Sequence, residues 1–157
     1  MKLLAVDPGS TSGWALGERT GVPMAGTWKL PGFDDKNRAK SFAGIYSSVY
    51  ALCRGNGVEG FVIEAPLRLG GRSAHTERML VMLSGAAQAG AFNGGVKWVE
   101  IVAPQTWRKK VLGNGFPKNP KRAAIEYCNL MRWNIIEHNA AEASCILVYG
   151  HGQTRLI

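Results

Sequence analysis

The chain has 157 residues, of which 46% are hydrophobic and 19% charged. That is the make-up of a single folded domain with a proper core, and it excludes a disordered tail or two domains of ordinary size. Nineteen Lys and Arg against eleven Asp and Glu leave a formal charge of +8, an imbalance that points to a polyanionic partner.

Residues 1–7 read as a short apolar strand, 13–18 as a second and 24–30 as a third, with a hairpin turn over 19–23 marked by Gly21 and Pro23. Apolar and small residues recur at helical spacing over 37–53, and Gly55 with Gly57 then stops the pattern. "GFVIE" at 60–64 is a continuous apolar strand, 76–92 a long helix and 96–102 a fifth strand. Helices are expected over 104–112, over 119–131, where Asn119 and Pro120 make an N-cap and first-turn pair, and over 139–149. The order βββαβαβααα predicts an α/β fold with a mixed five-stranded sheet flanked by helices. Its first three strands are antiparallel and the later two join through parallel crossovers.

No apolar run approaches the length of about 18 residues that a membrane span needs, and the chain opens on a strand pattern rather than a leader. A cytoplasmic protein with no membrane partner is expected. Cys53, Cys128 and Cys145 are widely spaced in apolar surroundings and read as reduced core residues rather than a disulfide framework or zinc site.

Two carboxylates end apolar strands: Asp7 in "LLAVDPGSTSGWAL" and Glu64 in "FVIEAP". Strand ends are where ligand sites collect in α/β sheets. Side by side, two such acids repel each other unless a divalent cation neutralises them, and hard oxygen donors suit Mg²⁺ or Mn²⁺. An Asp before Pro-Gly is also a common turn residue, whereas a carboxylate behind "FVI" is expensive to leave unpaired. In "EHNAAEASCILVYG", His138 and Asn139 lie four and three residues before Glu142 and share a helix face with it. Glu142 is either a third carboxylate of the same site or half of a capping box with Asn139.

Between Gln105 and Arg122 stand Arg108, Lys109, Lys110, Lys118, Lys121 and Arg122 with no acidic residue among them. Such a run is a solvated face or a grip on a phosphate backbone. Trp107 inside it reads as a packing residue. Arg68 and Arg72 flank Leu67 and Leu69 in the loop after Glu64, where apolar side chains could unstack bases.

Taken together, "VDPGSTSGWA", "FVIEAP", "APQTWRKKVLGNGFPKNPK" and "HNAAEA" resemble, in order and spacing, the RuvC-like Holliday junction resolvases, particularly the compact phage type, over most of the chain. The resemblance implies an RNase H-like fold, a homodimer and a pair of Mg²⁺ ions per active site, with Mn²⁺ as a substitute. It implies a DNA endonuclease that makes paired symmetric nicks in four-way or branched DNA, with no organic cofactor. Asp7 would bridge the ions, Glu64 and Glu142 would complete one each, and His138 or Asn139 would supply the remaining contact. Glu142 stands where the family usually carries Asp. Lys121, with Lys118 as competitor, matches the family's lysine near the scissile phosphate, and the basic segment matches its backbone grip. Rival readings are a branched-DNA binding protein with weak or lost cleavage, and another RNase H-like nuclease acting on RNA–DNA hybrids or flaps. A nucleotide-binding ATPase would need a second phosphate-binding glycine turn, which is not found.

Overall fold

A computed structural model describes residues 1–66 and 73–153. β1 (Lys2–Asp7), β2 (Thr11–Glu18) and β3 (Met24–Lys29) form an antiparallel ladder; β4 (Gly60–Glu64) adds to β1 in parallel and β5 (Trp98–Val102) to β4. The strand order is β3-β2-β1-β4-β5. This is the mixed α/β sheet expected from the pattern.

Alternation along the strands divides the core in two. Leu4, Val6, Phe61 and Ile63 face Ile45 and Val49 of α1 (Arg38–Asn56) and Leu83 and Ala87 of α2 (Ala74–Asn93). Leu3, Ala5 and Val62 face the other way. They pack with Trp107 of α3 (Pro104–Leu112), Ala124 and Cys128 of α4 (Pro120–Leu130), and Cys145 and Ile146 of α5 (His138–Gln153). Helices therefore cover both faces, and α5 is the one pressed closest. Its small residues Ala140, Ala141, Ala143 and Ser144 are buried, which lets the helix lie directly on β1 and β2.

Element ends differ from the pattern by a few residues, each for a local reason. Gly55 is accommodated inside α1, which runs on to Asn56 and closes on Gly57 at a left-handed φ of 61°. α2 starts earlier than expected because the Ser73 hydroxyl accepts a hydrogen bond from Thr76 N–H. β5 is shorter than expected because Val96 N–H still bonds back to Ala91 at the close of α2. Asn119 and Pro120 open α4 as predicted, with Asn119 Oδ1 accepting from Arg122 N–H at 3.1 Å.

Cys53, Cys128 and Cys145 are all free and buried. Burial pushes the Cys53 thiol up to about 12, far from thiolate chemistry at neutral pH. Among the described residues, no helix is long and apolar enough to cross a membrane.

Candidate active site

Strand register brings the first two acids together. Val6 pairs with Ile63 in the parallel ladder, so Asp7 and Glu64 follow at the same level on neighbouring strands. Asp7 continues the Leu3–Ala5 alternation and Glu64 that of Val62, which aims both carboxylates at the face covered by α3, α4 and α5.

The third acid arrives from α5, and one glycine permits it. Gly13 is the partner of Asp7 in the β1–β2 ladder. A Cβ placed on Gly13 would lie 1.9 Å from the backbone oxygen of Asn139, so the first turn of α5 rests directly on β2. The β1–β2 loop beneath it is pinned by the Ser12 hydroxyl, which donates to Gly9 C=O at 2.8 Å and accepts from Gly9 N–H at 3.2 Å.

At the start of α5 the capping group is Glu137, whose carboxylate accepts from Ala140 N–H at 2.8 Å. The capping-box alternative for Asn139 and Glu142 therefore does not describe this helix end. Asn139 instead donates its side-chain amide to Glu137 at 3.0 Å. Glu142 is buried and meets Arg108 at 3.3 Å.

Asp7, Glu64, Glu142, His138, Asn139, Arg108, Lys118 and Lys121 all line one open cleft of about 600 Å³. Burial pushes the Asp7 carboxyl well above the usual carboxylate range, and the charges of Glu64 and Glu142 push it further; Arg108 and Lys121 oppose them. Burial also raises Glu142, against the pull of Arg108, Lys121 and His138. Asp7 thus feels the charge of both other acids across the cleft.

Trp107 is fully buried, as a packing residue should be, and its indole N–H also donates to Glu64 Oε2 at 2.7 Å. Nothing in the local sequence signals that second role, because the partners are 43 residues apart. The basic residues separate by position. Arg108 sits inside the cleft, with its Nε buried and lacking a hydrogen-bond partner, while Lys118 and Lys121 rim it. Lys109 and Lys110 border a neighbouring hollow, where the Lys110 ammonium also lies 5.6 Å from the Tyr149 ring centroid. Arg122 pairs with Glu126 at 2.7 Å along α4. Arg68 and Arg72, with Leu67 and Leu69, lie outside the described residues.

The donor set fits a hard divalent cation in kind and charge: carboxylates lining one open cleft, with the Asp7 carboxyl raised by burial and then by the charges of its neighbours. Among the described residues, no three His, Cys, Asp or Glu side chains already converge as a ligand cluster. Trp107 holds one oxygen of Glu64, and Arg108 gives Glu142 a positive partner, so a cation at Glu142 would share or displace that guanidinium.

The strand order and the helices on both sheet faces are those of the RNase H-like fold, which RuvC shares. The structure of RuvC from Thermus thermophilus superposes with a TM-score of 0.76 at 17% identity, covering 99% of this chain and 96% of that one. T. thermophilus RuvC in complex with a Holliday junction substrate gives 0.72 at 18% identity, covering 98% and 97%. The yeast mitochondrial Holliday junction resolvase Ydc2 gives 0.64 at 12% identity, covering 93% of this chain and 75% of that chain. No protein-family profile and no curated protein matches by sequence.

Proposed function

We propose that the chain is a metal-dependent, structure-selective DNA endonuclease that resolves four-way or branched DNA by paired nicks. The observation that carries this reading is that three carboxylates, from β1, β4 and α5, line one cleft rimmed by Lys118 and Lys121. The fold shared with RuvC and the net positive charge support it. Mg²⁺ or Mn²⁺ held by Asp7, Glu64 and Glu142 would lower the pKa of an attacking water and stabilise the leaving oxygen. His138 and Asn139 both line the cleft as candidates for a further ligand: the His138 Nδ1 faces Glu137 at 3.4 Å and the Asn139 side-chain nitrogen donates to Glu137, so the imidazole would offer Nε2 and the amide its oxygen. Lys121 and Lys118 neutralise the phosphate, assisted by the N-terminus of α4 between them.

A second copy completes the reading, because two symmetry-related sites address two related strands of one junction. The exposed side of α2, with Val81, Met82 and Phe92, offers an apolar surface for it. The test is a nicking assay on a four-way junction, a linear duplex and an RNA–DNA hybrid with Mg²⁺ or Mn²⁺, together with sedimentation at the assay concentration. Symmetric nicks confined to the junction, made by a dimer, are expected. Junction binding without nicks would replace the enzyme by a binding module. Cleavage of the hybrid would move the substrate, and full activity as a monomer would remove the pairing.

Trp107→Phe keeps the buried ring but removes the hydrogen bond to Glu64. Loss of such an orienting contact weakens a metal site by about 10- to 100-fold. The metal concentration for half-maximal nicking, and for half-maximal thermal stabilisation, should rise by that order while the circular dichroism spectrum is retained. Unchanged metal dependence would restrict Trp107 to packing.

A further inference from the structure

We propose that Phe116 is a stacking platform that seats an unpaired nucleobase beside the phosphodiester in the carboxylate cleft. The inference rests on the reading that this cleft takes DNA, and it adds a residue that recognises the distorted nucleotide itself. Phe116 is 82% exposed, an unusual position for a large aromatic side chain. Other exposed apolar side chains, such as Leu130 and Ile136, do not border the acids.

The ring is shared by two hollows. One, of about 160 Å³, is lined by Asp7, Glu64, Arg108 and Phe116. The other, of about 510 Å³, is lined by Gln105, Thr106, Lys109, Lys110 and Phe116. Carboxylates thus border the hollow on one side of the ring and the Lys109 and Lys110 side chains the hollow on the other. A nucleotide presents the same order of groups: a phosphate at the cleft, a base on the ring and the next phosphate towards the lysines.

The backbone that carries the ring is fixed. Gly113 ends α3 in the left-handed region at φ 77°, and Asn114 Oδ1 accepts a hydrogen bond from Phe116 N–H at 2.9 Å. Gly115 packs so closely on α3 that a Cβ there would come within 2.9 Å of Gln105 O. Pro117 then restricts the Phe116 backbone to extended conformations. A ring presented on a preorganised loop loses little entropy when a base covers it.

Stacking needs a free base face, which a continuous duplex does not offer and a branch point does. The interaction is indifferent to sequence because every base has a π-face. Phe116 would therefore contribute to structure selectivity rather than sequence preference, and it carries no charge for salt to screen.

The experiment compares wild type, Phe116→Ala, Phe116→Leu and Phe116→Trp on a four-way junction carrying 2-aminopurine next to the nicked phosphate. Binding is measured in EDTA at several salt concentrations. Phe116→Ala should weaken junction binding by roughly 5- to 150-fold, the range of one base–aromatic stack, with an unchanged salt slope. Phe116→Trp should restore both affinity and the stacking-dependent fluorescence change, and Phe116→Leu should restore neither. If wild type binds the junction and Phe116→Ala or Phe116→Leu matches it in affinity and fluorescence, stacking is overturned while the nuclease reading stands. If wild type binds no branched DNA, both are overturned.

Discussion

On the proposed reading, Asp7→Asn abolishes nicking by at least about a thousandfold, more than loss of an orienting contact to a metal ligand would cause, and it makes the metal-free protein more stable at neutral pH. The two effects have one cause. Asp7 shares its cleft with Glu64 and Glu142, and its folded-state carboxyl is raised first by burial and then by those two charges. A group whose folded pKa exceeds its unfolded value, about 3.9 for Asp, binds protons more tightly in the folded protein. Its contribution therefore favours folding at low pH and is lost as pH rises through the folded value. Above that value the ionised Asp7 opposes folding until a cation neutralises it, and Asn, which has the same shape without the charge, removes the repulsion. In EDTA at pH 7 to 8, Asp7→Asn should melt at a higher temperature than wild type, with the gap closing towards pH 4. On titration with Mg²⁺, wild type should gain stability and the variant should not. A variant that melts no higher than wild type in EDTA would show that the acids do not strain the metal-free fold. Retained nicking would remove Asp7 from the chemistry.

Gly13→Ala should destabilise the fold by about 3 kcal/mol, or roughly 10 °C in melting temperature, and should disable the cleft as well. The added Cβ would meet the backbone oxygen and carbon of Asn139 at 1.9 and 2.4 Å. Neither atom can rotate away as the end of a side chain could, so α5 must lift from β2. The same displacement moves His138 and Glu142 relative to Asp7, because Asp7 and Gly13 are partners in the ladder. Gly55→Ala provides the control: a Cβ there meets nothing within 4 Å, and Ala is preferred in a helix interior by about 0.8 to 1.0 kcal/mol. Urea unfolding of the two variants should therefore move in opposite directions. An unchanged midpoint for Gly13→Ala would mean that the start of α5 does not bear on β2.

Period-two runs and helical spacing made the elements and their order legible, since both patterns are local records of which face is buried. The nearness of Asp7 and Glu64 was legible for a related reason. Both end apolar strands, and the intervening helix implies a parallel crossover that places the strands side by side. The resemblance to the resolvases brought Glu142 into the same group.

Amino-acid order by itself thus determined the α/β class, the strand directions and the acids at the strand ends, because these follow from alternation and chain connectivity. Only the tertiary structure gave the helix cap to Glu137 instead of Asn139 and Glu142, placed Arg108 beside Glu142 and joined Trp107 to Glu64. It also separated Lys118 and Lys121 at the cleft from Arg122 on the flank of α4. Those outcomes depend on how α3, α4 and α5 settle on the sheet. The decisive contacts link residues 34 to 43 positions apart, far beyond the reach of any periodicity, and one absent side chain at Gly13 sets how closely α5 can approach.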